Sequence, residues 1–242
     1  MQPRSLAVIP ARGGSKRLPR KNIKNLLGHP LIAYTIRAAQ NSALLTDFIV
    51  SSDDDEIIQI AQSYGANVPF KRPNVISGDA TKNNETLAHA LSFMEECRGF
   101  KYDLVIMLQP TSPVRDSRHI DLAIQKLCAS DLETLASVKG PFKKRQPTLK
   151  RVEDGKLMPY ADKLSDPNEA FYLYNAALYA AKRQYFVETI SYFSDEQEPL
   201  FMDRVCSLDV DDENDFAIVE MLMKIHGISF EDTYRDEIFE TN

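Results

Sequence analysis

A chain of 242 residues with 43% hydrophobic and 26% charged residues has the make-up of one soluble α/β domain, long enough to bury roughly 70% of its unfolded surface. A net charge of −6 argues against general affinity for nucleic acid or a membrane surface, which demand a broad basic face. No apolar run approaches the ~20 residues of a membrane span, and MQPRSLAVIP turns polar too early for a signal peptide, so a cytoplasmic location is expected.

SLAVIPA reads as a first strand that empties into a loop at Gly13 and Gly14. PLIAYTIRAAQNS has helical spacing with Pro30 in its first turn, DFIVSS is a short strand, and DDDEIIQIAQSYGA a helix with acids at its start. NVPF is expected as a further strand. ETLAHALSFMEEC, YDLVIML, SRHIDLAIQKLCAS and LETLASV continue as helix, strand, helix and strand. Apolar runs without alternation predict strands covered on both faces, hence a Rossmann-like, mostly parallel sheet flanked by helices.

Residues 139–170 break this rhythm with four prolines and two glycines. So long a loop is unusual inside a domain, and the segment is expected as a projecting β-rich arm. One α/β domain is thus divided into residues 1–138 and 171–230, with an acidic tail at 231–242. After the arm, AFYLYNAALYAAKR reads as strand or helix and QYFVETISYF as helix. DRVCSLDV reads as a returning strand, and ENDFAIVEMLMKIHG as a helix closing at Gly227.

Charge is unevenly placed. Residues 1–25 carry seven Lys or Arg and no acid, whereas residues 209–242 carry eleven acids against Lys224 and Arg235. In ARGGSKRLPRKN, Gly13 and Gly14 allow backbone amides to face an anion, and Arg12, Lys16, Arg17, Arg20 and Lys21 supply charge for a polyphosphate. The competing reading is a solvated basic turn. Neither GxxxxGK[ST] nor GxGxxG is present, which argues against an ATPase loop and an NAD-binding turn.

In SLDVDD, strand alternation places Asp209 and Asp211 on one side and Val210 in the core. Paired carboxylates call for a cation, and Mg²⁺ is expected, with Mn²⁺ able to substitute. The alternative reading is that Asp211 or, more naturally, Asp212 simply caps the helix beginning near Glu213. Cys97, Cys128 and Cys206 lack metal spacing and are expected as reduced core thiols. His29, His89, His119 and His226 make no metal pattern either, and the G-x-S-x-G elbow of a serine hydrolase is absent.

IPARGGSKRLPRKNIK resembles the N-terminal signature of the acylneuraminate cytidylyltransferases, the CMP-sugar synthetases that activate sialic acid and related nonulosonates. The likeness spans about residues 5–227, because VPFKRP with SGDAT, LQPTSPVR, YNAALY and SLDVDDENDF match further family segments in the same order. It implies that Arg12, Gly13, Gly14, Ser15, Lys16 and Lys21 hold the CTP triphosphate, with Asn22, Arg72 and Ser77 near cytosine or ribose. Arg72 alternatively reads as a surface ion pair.

The resemblance also implies a sugar side made by Gln109, Thr111, Ser112, Asn175, Tyr179 and Phe193, with Tyr192 beside them. By residue type alone, TSP is an ordinary turn and cap, and the aromatics are core. Catalysis would rest on Arg12, Lys21, Asp209 and Asp211, with the last two holding the metal. A homodimer through the 139–170 arm is implied, for which Lys143, Lys144 and Arg145 are candidate contributors to the neighbouring site; a solvated charge run is the other reading.

The expected reaction is CMP transfer from CTP to the 2-hydroxyl of a nonulosonic acid, N-acetylneuraminate first. Legionaminate and pseudaminate share the signature. The sister family acting on Kdo does not carry QPTSP, and a silent nucleotide-binding module would have little reason to keep both aspartates.

Overall fold

The computed structural model describes residues 2–78, 81–143, 150–153, 156–159 and 170–231. In chain order these form β1 (Ser5–Pro10), β2 (Asn25–Leu26), β3 (His29–Pro30), α1 (Leu31–Gln40), β4 (Asp47–Ser51), α2 (Asp55–Ser63), α3 (Asn83–Arg98) and β5 (Leu104–Leu108). There follow α4 (Ser117–Ala129), β6 (Thr134–Lys143), β7 (Lys150–Glu153), β8 (Lys156–Pro159), β9 (Ala170–Lys182), α5 (Arg183–Thr189), β10 (Glu198–Met202) and α6 (Glu213–Ile225).

The main sheet has the order β10-β6-β9-β5-β1-β4. β1 runs parallel to β4 and β5, and β10 parallel to β6, while β9 is antiparallel to both β5 and β6. Along β1, Ala7 and Ile9 enter one apolar layer with α1, α2, α4 and α6, and Leu6 and Val8 enter the other with α3 and α5. Both faces are covered, which explains the unbroken hydrophobic runs. The pattern repeats in β5, where Leu104, Ile106 and Leu108 join the first layer and Val105 and Met107 the second.

Helix ends follow local chemistry. Asp54 caps α2 through the Glu56 and Ile57 amides, and Asp212 caps α6 in a reciprocal box with Asp215. Gly227, at φ 62°, follows the end of α6 as expected.

Several expectations need correction. NVPF is not a strand: Asn67 accepts the Val50 amide, Pro69 has no amide to give, and a lone bridge joins Ser52 to Lys71. DRVCSLDV is a turn followed by coil, because the Asp203 carboxylate captures the Val205 and Cys206 amides. The sheet strand of this region is β10, upstream of it. AFYLYNAALYAAKR is a strand, since pairing on both sides overrides the helix preference of its alanines. Cys206 is buried, but Cys97 and Cys128 are exposed, so only one thiol belongs to the core.

β6 and β9 stay paired as far as Lys143 and Ala170, and β7 and β8 form a hairpin of their own. β6 thus leads into the 139–170 segment and β9 out of it. Lys144 and Arg145 lie outside the described residues, as does the tail beyond Glu231. Among the described residues, no helix is long and apolar enough to cross a membrane.

Candidate functional site

A cavity of about 820 Å³ opens at the carboxyl edge of β1 and β5, where open α/β sheets hold ligands. This falls within the ~300–1,000 Å³ of small-molecule sites. Arg12, Ser15, Lys16, Arg17, Lys21 and Asn22 line it from the loop after β1, and Asp211 lines it from the segment before α6. The basic turn and the acidic segment, far apart in sequence, therefore face one space.

Val210 joins three segments. Its side chain is fully buried, its amide donates to the Thr111 carbonyl at 2.9 Å, and its carbonyl accepts from Lys21 Nζ at 2.7 Å. Lys21 Nζ also lies 3.5 Å from Asp211 Oδ1, and Arg17 lies 3.6 Å from Asp211 Oδ2. Asp211 is thus the exposed partner of two cations.

Asp209 sits differently. No strand carries it, so strict alternation does not apply; it lies behind Thr111 rather than on the cavity wall. Its Oδ1 is buried and has no hydrogen-bond partner among the described residues. Burial pushes this carboxyl above its ordinary range, against a hydrogen bond from Thr111 that pulls it down; Asp211 adds repulsion and Lys21 offsets part of it. An orphaned carboxylate oxygen beside a second carboxylate suits a hard divalent cation, which takes one or two carboxylates and completes its shell with water and phosphate.

The glycine loop works by packing. A Cβ on Gly13 would stand 2.6 Å from Asp54 Oδ2, while Gly14 faces open space. The Gly13 amide donates to Asp53 at 3.1 Å, and Arg20 pairs with Asp54 at 2.6 Å and with Glu56. Arg20 is therefore committed to the start of α2 and does not line the cavity. Gly13→Ala is expected to destabilise the protein by about 1–3 kcal/mol, whereas Gly14→Ala should be tolerated; urea unfolding of both variants measures the difference.

Arg72 is not a surface ion pair. It is 4% exposed, donates from Nε to Ser51 Oγ at 3.1 Å and from its terminal nitrogen to the Ser51 carbonyl, and lines the cavity. Burial lowers its pKa to about 10, still far above neutrality. Asn22 lines the cavity too, its amide nitrogen anchored to the Arg12 carbonyl at 3.1 Å.

Gln109, Thr111 and Phe193 line the cavity as anticipated, and so does Tyr192. Six other expected residues do not: Gly13 and Gly14 shape the loop without lining the cavity, and four more lie off it. The Ser77 hydroxyl is taken by the Pro73 carbonyl, and Ile76 and Gly78 reach the cavity instead. Ser112 is fully buried behind the loop. Asn175 is a core residue that accepts from Ser137 at 2.5 Å and donates to Ser207 at 2.9 Å. Tyr179 stacks on Tyr192 from behind, and burial raises its phenol to about 12. Asn175 precedes Ala176, whose φ of 63° forms an irregularity in β9. That backbone lies in the left-handed region that favours glycine, so Ala176 is held there by the surrounding strand pairing.

Arg115 is 1% exposed and holds the 109–111 loop from within, donating to the Ala177 carbonyl, Thr35 Oγ1 and the Gln109 carbonyl. Sequence reasoning missed Lys82, Asn83 and Asn84, which line the cavity where α3 begins. The polar run TKNNET ahead of a helical pattern was their only signal. Six cationic residues, Arg12, Lys16, Arg17, Lys21, Arg72 and Lys82, line the cavity against one carboxylate, Asp211, among the described residues.

A family profile described as Cytidylyltransferase matches residues 6–228. CMP-N,N'-diacetyllegionaminic acid synthase of Legionella pneumophila is 33% identical, covering 92% of this chain and 97% of the relative. N-acylneuraminate cytidylyltransferase of Escherichia coli is 34% identical, covering 90% of this chain and 52% of that protein. A pseudaminic acid cytidylyltransferase of Campylobacter jejuni is 42% identical over 51% of this chain and 53% of its own. In structure, a CMP-2-keto-3-deoxy-manno-octonic acid synthetase complexed with CTP superimposes with a TM-score of 0.70 at 18% identity, covering 92% of this chain and 99% of that one. This match is one of fold. With the profile spanning nearly the whole sequence, the chain belongs to the cytidylyltransferase family and is a nucleotidyltransferase.

Proposed function

We propose that this enzyme transfers CMP from CTP to the anomeric 2-hydroxyl of a nonulosonic acid, releasing pyrophosphate. The observation that carries the reading is the six-to-one excess of cations lining one cavity in a cytidylyltransferase whose relatives are named for legionaminic, acylneuraminic and pseudaminic acids. Such a surface suits a triphosphate and suits no neutral ligand.

Arg12, Ser15, Lys16 and Lys21 hold the phosphates in this proposal, while Asn22 and Arg72 form the nucleoside end. Gln109, Tyr192 and Phe193 face the sugar acid in this proposal, with Asn83 hydrogen-bonded to Tyr192 and Lys82 and Asn84 flanking it. The acceptor oxygen bonds to the α-phosphorus as the bond to the pyrophosphate bridging oxygen breaks, and the hydroxyl proton passes to the medium. This displacement needs alignment and charge neutralisation and no covalent enzyme intermediate. Mg²⁺, or Mn²⁺ in its place, would be held by Asp209 and Asp211 and would neutralise phosphate charge and acidify a bound hydroxyl. Lys21, tied to Val210, keeps the phosphate loop and the two aspartates in register.

We also assign the dimer contact to the arm at 139–170. Tyr172, Leu173, Tyr174 and Phe201 stand exposed at its base, an apolar surface suited to a second copy.

N-acetylneuraminate was the first expectation for the acceptor, and N,N'-diacetyllegionaminate competes on the strength of the Legionella relative. A few contacts beside Tyr192 and Phe193 decide between them. Pyrophosphate release from CTP and Mg²⁺ with sialic, legionaminic, pseudaminic and Kdo acids tests the class. Turnover with a nine-carbon acid and none with Kdo is expected. CTP binding without release for any acid would mean a silent binding module instead.

A further inference from the structure

Neither the histidines nor the cysteines have metal-binding spacing in the sequence, yet the fold gathers His119, Asp203 and Cys206. His119 lies in the first turn of α4, and the other two lie in the turn after β10. One ligand atom of each lies within 4.8 Å of the others. Cys206 is 5% exposed and the His119 side chain 15%. Two of these three groups are therefore shielded from solvent.

The surroundings orient each donor. Asp116 Oδ1 stands 2.7 Å from His119 Nδ1. Two acceptors at that distance would repel, so Nδ1 carries the proton and Nε2 presents its lone pair, although the Asp116 amide also approaches Nδ1 at 3.3 Å. A carboxylate behind a histidine is the support that metal-ligating imidazoles usually have. Asp116 is itself held, its Oδ2 accepting from Arg118 Nε at 3.1 Å and from the terminal nitrogen at 2.9 Å. On Asp203, Oδ1 accepts the Val205 and Cys206 amides at 2.7 and 2.9 Å, which leaves Oδ2 as the ligand oxygen.

We propose that His119, Asp203 and Cys206 bind a zinc-class divalent cation, with water in the fourth position. Imidazole, thiolate and carboxylate make a borderline-soft tetrahedral set, unlike the oxygen-only pair Asp209 and Asp211, which suits Mg²⁺. Bonds of about 2.0–2.3 Å separate tetrahedral donors by roughly 3.5 Å, so side-chain rotation of about 1 Å closes the site. The Cys206 thiol loses its proton to solvent on binding. Cys206 precedes Asp209 by only three residues, so the ion would pin the turn that delivers the catalytic aspartates to the start of α4.

The full chain, stripped with chelator and titrated with Co²⁺, tests this independently of activity. A thiolate-to-cobalt charge-transfer band in the near ultraviolet is expected at one equivalent, displaced by Zn²⁺. It should persist in a Cys97→Ser/Cys128→Ser double variant and in Asp209→Asn, and vanish in Cys206→Ser. Zn²⁺ affinity should fall at least tenfold in His119→Gln, with circular dichroism reporting the fold of each variant. Absence of the band in the wild-type chain overturns the proposal whatever the variants do. So does a band that survives Cys206→Ser or disappears with Cys97 and Cys128.

Discussion

Asp209→Asn is expected to lower CMP-nonulosonate formation by about 10²–10⁴-fold, yet to raise the melting temperature of the ligand-free protein. Both effects come from one cause. Burial opposes ionisation of this carboxyl and its Oδ1 has no partner among the described residues, so its charge would weaken the free fold and, in the proposed role, be neutralised by a bound cation. The sign follows from linkage. A carboxyl whose folded pKa lies above its unfolded value favours the fold below the unfolded pKa, and that contribution is lost as pH rises through the folded one. The stability gap between variant and wild type should therefore be small below about pH 4 and widen towards neutrality. Each kcal/mol of relief would appear as roughly 2–4 °C. Mg²⁺ should raise the melting temperature of the wild type and leave the variant unmoved. A variant that is active, or that melts lower at neutral pH, contradicts this role for Asp209.

Lys21→Met ranks second. Its ammonium bonds the Val210 carbonyl, stands 3.5 Å from Asp211, and faces the cavity with a side chain only 16% exposed. Removing it would delete the proposed phosphate contact and loosen the only described side-chain link from the basic turn to Val210. A loss of about 10²–10³-fold in kcat/KM for CTP is expected, the range found when one preorganised donor to a developing charge is removed. Lys21→Arg should rescue it only in part, since a planar fork does not reproduce a compact ammonium in a confined position. Steady-state kinetics over a CTP titration measures this. A kcat/KM within about threefold of wild type would place the triphosphate elsewhere.

Much of the fold was legible because the strands of a sheet covered on both faces leave continuous apolar runs, as in SLAVIP and DLVIML, with capped helices between them. The failures were local. Asp203 captures two amides and turns DRVCSLDV away from strand, and the alanines of β9 obey their neighbours rather than their own preference. At the site, Arg12, Lys16 and Lys21 could be read as cavity-facing because a cluster of cations with no acid near it in sequence is conspicuous. Ser112 and Asn175 could not be separated from their cavity-lining neighbours, because a motif fixes the path of a loop before it fixes which side chains turn outward. Arg20 shows the same limit: its partners Asp54 and Glu56 lie 34 and 36 residues away. The His119, Asp203 and Cys206 cluster was invisible for that reason too, since its members come from separate elements.

The most direct test of the account is a crystal structure with CTP and Mn²⁺, using the anomalous signal to locate the ion. The account predicts a manganese peak between Asp209, Asp211 and the triphosphate, with the phosphates against Arg12, Lys16 and Lys21. A nucleotide bound away from this cavity, or a manganese ion held by neither aspartate, would contradict it.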